Sequence, residues 1–265
     1  MKIVVCVKQV PQTDKVKLDP ETHTLKREGV ESIINPFDLF ALEAALAVRE
    51  AAGGEVAVLS MGPPQAAAVI KEAIGYGADQ GLLMADRAFA GSDTWATTRV
   101  LAAGVEKLGG ADLIICGKQA IDGDTAQVGP GLAQRLGLPQ VAFVKKIKEV
   151  TEDHLVVERQ TDEGWDVVKL PLPGLITVVR EVGEPRPPSL KGKMRAKTYQ
   201  VPLVGAEEAA IPADEAGLAG SFTQVKKVFA PQATGDREII PGTAEEAGAA
   251  LMDRLAAQGV IVTGN

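Results

Sequence analysis

Aromatic residues, histidines and cysteines are scarce in this chain. Only 4% of its 265 residues are Phe, Trp or Tyr, so a core must come from the Val, Leu, Ile and Ala within its 46% hydrophobic content. The two histidines, His23 and His154, fall in polar surroundings and read as solvated. The two cysteines, Cys6 and Cys116, match no disulfide framework and no metal-ligand spacing. Each lies in an apolar run and reads as a buried, reduced thiol, which is inert without a cation nearby. No Gly-x-x-x-x-Gly-Lys-Ser/Thr loop occurs, which speaks against Walker-type NTP hydrolysis, and no Gly-x-Ser-x-Gly elbow occurs either. The run Gly75-Tyr76-Gly77-Ala78-Asp79-Gln80 lacks a third glycine and follows a helical pattern, so it reads as a helix end rather than a dinucleotide turn. No segment reaches the ~18 apolar residues of a membrane span. A net charge of −7 disfavours nucleic acid and anionic membrane as partners. Met1 to Lys8 is too soon interrupted for a signal peptide and reads as a first strand. The expectation is a cytoplasmic protein of a bacterium, without direct membrane insertion.

What is present is an alternation of apolar runs and helical patterns. Ile3–Val7, Val56–Ser60, Leu82–Ala85, Leu113–Cys116 and Val141–Val144 read as five strands. Between them lie a helix begun by Asn35 and Pro36 and closed at Gly53-Gly54, one opened by Gly62-Pro63-Pro64, and one capped by Ser92 or Asp93. The spacings predict an α/β fold with a doubly wound, mainly parallel sheet and right-handed crossovers, of flavodoxin-like strand order 3-2-1-4-5. Leu155–Arg159 and Trp165–Leu170 predict a hairpin, and Leu175–Val179 a further strand. The body is expected to span residues 1–182. From Gly183 to about Gln224 the chain changes character, with many prolines, glycines and alanines and little periodicity, and residues 183–265 are expected to form a partner-docking loop and an arm that packs on another subunit. Near the end, Thr243 with Glu246 forms a capping-box pattern ahead of Ala247, Leu251 and Leu255.

The strongest chemical signal is Gly117-Lys118-Gln119-Ala120-Ile121-Asp122-Gly123-Asp124-Thr125-Ala126-Gln127-Val128. It joins the fourth strand to a helical pattern, at the carboxyl end of the sheet where free amides and a helix dipole favour an anion. Lys118 offers a charge; Asp122, Asp124, Thr125 and Gln127 offer hydrogen bonds; Gly117 and Gly123 allow close approach or unusual dihedrals. The same residues also suit a turn and cap with no ligand, and taken alone they leave both readings open. The predicted strand order gathers Cys6, Met61 and Gly117 around one crevice rimmed by Asn35, Pro36, Phe37 and Asp38. No acid, base or nucleophile accompanies them, so the chain reads as a holder of cofactors without catalytic residues of its own. Apart from the crevice, Arg186 to Lys197 carries five basic residues and no acid, with Leu190 and Met194 at helical spacing. It reads either as a docking surface, with Leu190, Lys191 and Met194 exposed, or as a solvated loop.

Four stretches resemble one family, the β subunit of electron transfer flavoprotein: Val5-Cys6-Val7-Lys8-Gln9, Asn35-Pro36-Phe37-Asp38, the loop from Gly117, and Val157 to Gly164 running on to Leu172-Pro173-Gly174-Leu175-Ile176-Thr177. The resemblance covers almost the whole chain. It implies a heterodimer with a larger α subunit that carries most of an FAD, part of which the β subunit covers. Electrons would arrive from acyl-CoA or other flavin dehydrogenases and leave to a quinone reductase or another acceptor. It also implies a structural AMP held by Cys6, Asn35–Asp38, Met61 and Gly117–Val128, and dehydrogenase docking through Leu190. Two features depart from the common pattern. Pro11-Gln12-Thr13-Asp14 contains no aromatic residue to face the flavin. Asp122 to Gly129 looks closer to members in which a second FAD replaces AMP for electron bifurcation. A stand-alone nucleotide-sensing domain of the same fold is the competing function. An adenylating ligase would need a Ser-Gly-Gly type loop after the first strand, and Lys8-Gln9-Val10-Pro11 is not one.

Overall fold

Strands of continuous Val, Ile and Leu must be covered on both faces, and the computed structural model shows how. It describes residues 1–12, 17–18, 25–26, 32–227 and 238–261. The chain divides into two units, Met1–Val228 and Phe229–Asn265. In the first, β1 (Lys2–Cys6) leads to two small antiparallel pairs: β2 (Gln9–Pro11) with β5 (Ser32–Ile34), and β3 (Lys17–Leu18) with β4 (Leu25–Lys26). Then follow α1 (Pro36–Ala52), β6 (Glu55–Met61), α2 (Ala67–Tyr76), β7 (Gln80–Met84), α3 (Thr94–Lys107), β8 (Leu113–Gly117) and α4 (Val128–Leu136). The rest is β9 (Gln140–Val150), β10 (His154–Gln160), β11 (Trp165–Pro171), β12 (Gly174–Val178), α5 (Leu190–Thr198) and β13 (Leu203–Val204).

Nine strands form one sheet in the order β11-β10-β9-β12-β8-β1-β6-β7-β13. Side chains alternate across it. Ile3 and Val5 enter a core with α1 and α2, whereas Val4 and Cys6 enter a second core with Val100, Leu101 and Leu132 from α3 and α4. The predicted order 3-2-1-4 is present as β7-β6-β1-β8, all parallel. The predicted fifth neighbour is corrected: β12, not Val141–Val144, lies beside β8. β12 is buried at all five positions and suits the middle of a sheet, while β9 has polar, half-exposed residues along its second half. The chain therefore runs outward through β9, β10 and β11 as an antiparallel meander and returns between β8 and β9.

The first unit runs on past residue 182 to Val228. Gly192 of α5 lies against the Gly75 carbonyl of α2, where a Cβ would meet that oxygen at 2.1 Å. The Tyr199 hydroxyl accepts from the Gly81 amide at 2.8 Å. β13 adds to the edge at β7, and Ile211 and Ala216 enter the second core. The second unit contains α6 (Ala244–Ala257), with the expected capping box between Thr243 and Glu246. No residue of α6 is buried, and Leu251 and Met252 are about half exposed.

Candidate functional site

At the carboxyl end of the sheet, β1 and β8 run side by side with Cys6 and Cys116 as register partners. Crossovers leave this pair in opposite directions, which opens a crevice at that point. A cavity of about 420 Å³ fills it. Of the residues expected there, Cys6, Asp38, Met61, Gly117, Lys118, Gln119 and Ala120 line the cavity. So do Gly123, Asp124, Thr125, Ala126 and Val128.

The remaining expected residues serve as supports. Asn35 occupies the N-cap position of α1 but does not cap it. Its fully buried side chain instead donates to the Gln119 carbonyl at 2.8 Å and accepts from the Ile121 amide at 3.2 Å, which braces the loop from beneath. Pro36 and Phe37 form the first turn of α1, against which Gly117 is pressed. A Cβ at Gly117 would meet Asp38 Oδ1 at 2.4 Å and the Phe37 carbonyl carbon at 2.6 Å, so close approach is what this glycine provides. Asp122 pairs with Lys8 at 2.6 Å. Gln127 precedes α4 without a side-chain cap bond. Gly123 is not needed for an unusual dihedral: the left-handed residues are Asp124 (φ 57°) and Ala126 (φ 55°).

Loop and helix together present donors to the cavity. Among the described residues, the amides of Gly123, Thr125 and Ala126 meet no acceptor. The uncapped start of α4 lines the same space through Val128 and Gly129. Unpaired helical amides and the dipole make such an end favourable for an anion. The residue pattern did not single out the opposite wall. There the first turn of α3 contributes Thr94 and Thr97, and Leu101 lies one turn further along. Thr94 Oγ1 reaches Thr125 Oγ1 at 3.2 Å, which joins the two walls. Val7, Lys8, Gly91, Ser92, Asp93, Thr223 and Val225 also line the cavity. The signal for α3 was available, since every crossover helix of a doubly wound sheet starts at this end. Nothing in the pattern marked Thr223 or Val225.

Electrostatics at the cavity floor are set by burial. Desolvation pushes the Asp38 carboxyl up to about 7, against the lowering effect of the Asn35 side chain, the amide and charge of Lys8, and the Gly117 amide. Its Oδ2 accepts from the Lys8 amide at 2.8 Å. The Cys116 thiol is held well above its ordinary value by its hydrogen bond with Cys6, by burial, and by the charges of Cys6 and Asp38. Thiolate chemistry is thereby suppressed. Lys118 Nζ lies 5.5 Å from the Phe143 ring centroid at the cavity edge. His154 is not solvated as expected: its ring is only 14% exposed and lies 2.7 Å from Asp153 Oδ1. His23, Thr13 and Asp14 lie outside the described residues.

The basic segment forms α5, capped by Ser189. Leu190 and Met194 are 77% and 64% exposed, and Lys191 is exposed beside them. No helix among the described residues is long and apolar enough to cross a membrane.

The profile described as "Electron transfer flavoprotein domain" matches residues 22–209. The chain belongs to the electron transfer flavoprotein family. Within that family it is of the β-subunit type. The electron transfer flavoprotein subunit beta of Thermoanaerobacterium thermosaccharolyticum is 45% identical, with 98% of this chain and all of the relative covered. The caffeyl-CoA reductase-Etf complex subunit CarD of Acetobacterium woodii is 46% identical, with 98% of this chain and all of the relative covered. Protein FixA of Bradyrhizobium diazoefficiens is 44% identical over 96% of this chain and 91% of its own length. An electron transfer flavoprotein β-type chain is an electron-transfer component.

Proposed function

We propose that this chain holds one AMP in the cavity at the tip of β8 and helps to enclose the FAD of a larger α subunit. The observation that carries this reading is the uncapped start of α4 beside acceptor-free loop amides, opening into one cavity. Phosphate would rest on those amides and on the Thr94, Thr97 and Thr125 hydroxyls. The apolar walls of Cys6, Met61 and Leu101 suit an adenine ring. A space of about 420 Å³ lies within the ~300–1,000 Å³ of small-ligand sites and suits a mononucleotide better than a whole dinucleotide. AMP here is structural. The FAD, when bound, supplies the electron chemistry, and this chain contributes surface and exclusion of water.

In this reading electrons come from acyl-CoA or other flavin dehydrogenases and pass to a quinone reductase or another acceptor. The exposed face of α5 docks the dehydrogenase, with Leu190 as apolar anchor and the surrounding lysines as rim. The half-exposed face of α6 would pack on the α subunit. One finding favours a second reading, in which a second FAD takes the place of AMP in an electron-bifurcating assembly: the relative from A. woodii is named as part of a reductase complex.

Calorimetry of AMP against the chain tests the nucleotide assignment. Saturable one-to-one binding is expected, and no binding of AMP or FAD would refute it. Leu190→Ala should lower turnover with a partner dehydrogenase about tenfold or more, the loss of an interface anchor, while AMP content stays unchanged. Equal turnover in variant and parent would remove the docking assignment.

A further inference from the structure

Past β13 the chain crosses α3 and reaches the nucleotide cavity, where Thr223 and Val225 supply part of its wall. This strap is not held by burial. Residues 222–227 are exposed throughout, with Phe222 at 82% and Val225 at 80%. A second hollow, of about 570 Å³, is lined by Trp95 and by Ser221 and Phe222 at the start of the strap. Beside the edge contact of Phe222 with Trp95, ring centroids 5.7 Å apart, and the bond from the Ser221 hydroxyl to the Gly217 carbonyl at 2.6 Å, one carboxylate fastens the strap. Asp93 Oδ2 accepts from the amides of Phe222 and Thr223, both at 2.9 Å, and from the Thr223 hydroxyl at 3.1 Å. The Asp93 amide donates to Ser221 Oγ at 2.8 Å. The other oxygen, Oδ1, caps α3 by accepting from the Ala96 amide at 3.0 Å. One side chain thus joins the strap to the helix turn that carries Thr94 and Thr97 into the same cavity.

We propose that Asp93 is a clasp that closes residues 221–225 over the nucleotide, so that bound nucleotide and closed strap retain each other. The inference rests on the nucleotide reading above. A ligand that touches Thr223 and Val225 only when the strap is closed binds that state better, and so shifts the equilibrium toward it. The clasp is a positioning device, because Asp93 acts through the strap it holds. Just beyond the strap stand Lys226 and Lys227, both exposed. A protease must draw the chain around the cut into an extended form, so an open strap is cut faster at these lysines than a fastened one.

The test is limited trypsin digestion of the full chain with and without AMP, with cleavage after Lys226 and Lys227 read by mass spectrometry and binding read by calorimetry. Asp93→Asn keeps an oxygen for the Ala96 amide but turns an NH2 group toward the strap amides. In the parent, saturating AMP should slow cleavage at these lysines about tenfold. In D93N cleavage should be fast with or without AMP, and AMP affinity should fall about tenfold, with cuts elsewhere unchanged. A parent that binds AMP yet is cut at the same rate overturns the clasp, as does a D93N that binds and resists trypsin like the parent. Failure of the parent to bind any nucleotide would refute the nucleotide reading instead. The clasp is then judged by ligand-free cleavage, which must be faster in D93N; equal rates overturn it. Should D93N not fold, Thr223→Val removes one strap bond and should shift cleavage in the same direction by about twofold, and no shift overturns the proposal.

Discussion

The loop 117–128 is braced from inside the fold, whereas the strap 221–225 is tied down from outside it. Both wall one cavity. Under the loop lies Asn35, fully buried, its side-chain NH2 donating to the Gln119 carbonyl and its oxygen accepting from the Ile121 amide. Over the strap there is only exposed chain, gathered on a half-buried Asp93. Buried hydrogen bonds are expensive to lose, because the freed partner cannot turn to water. Exposed ones are cheap to exchange. The difference teaches that one wall is set when the domain folds and the other can open without unfolding it.

Asn35→Ala should break this contrast most strongly. It leaves the carbonyl of half-buried Gln119 and the amide of half-buried Ile121 without partners and empties a fully buried position, and a loss of about 3 kcal/mol in urea unfolding is expected. Asp93→Asn should cost less than about 1 kcal/mol in the same assay, since its cap survives and its other bonds face solvent. Equal losses would erase the distinction between the walls.

Asp38→Asn sharpens it through pH. In the folded chain this carboxyl titrates at about 7, well above its ordinary 3.8, so the native state binds the extra proton between those values. Stability of the parent therefore falls as pH rises from about 4 to about 7. Below that window both states are protonated and the penalty vanishes; above it the full cost of burying the charge is paid. The advantage of Asp38→Asn over the parent should grow by on the order of 4 kcal/mol between pH 4 and pH 8. A difference independent of pH would show that Asp38 is not buried as described.

The smallest effect is expected at Ala126, whose left-handed conformation costs an L residue energy that glycine avoids. Ala126→Gly should gain up to about 1 kcal/mol, less the entropy that glycine returns to the unfolded chain. A clear loss would mean that the loop relaxes elsewhere in the native chain.

Much of this was legible beforehand because the signals were local. Apolar runs punctuated by glycine and proline marked β1, β6, β7 and β8, and Thr243 with Glu246 marked α6. The loop from Gly117 announced itself through its place after a buried strand. Other features depend on distant contacts and left no local trace. Asn35 carries the usual mark of a helix cap, yet a loop 84 residues away claims its side chain. β12 displaces the expected neighbour of β8 because its burial exceeds that of β9, a comparison no short window makes. The stretch from Gly183 to about Gln224 read as an arm for another subunit, since its fastening to this chain depends on Tyr199 meeting Gly81 and Asp93 meeting Thr223. Thr94 and Thr97 were within reach of the same reasoning, had the start of every crossover helix been counted as part of the crevice.

The central claim is that the cavity between the starts of α3 and α4 holds a phosphate-bearing adenosine ligand. The most direct test is to purify this chain with its flavin-bearing partner, denature the pair, and count the nucleotides released. The account predicts one AMP and one FAD per pair. Two FAD and no AMP would give the same cavity to the second reading. A single FAD with no further adenine nucleotide would contradict the claim.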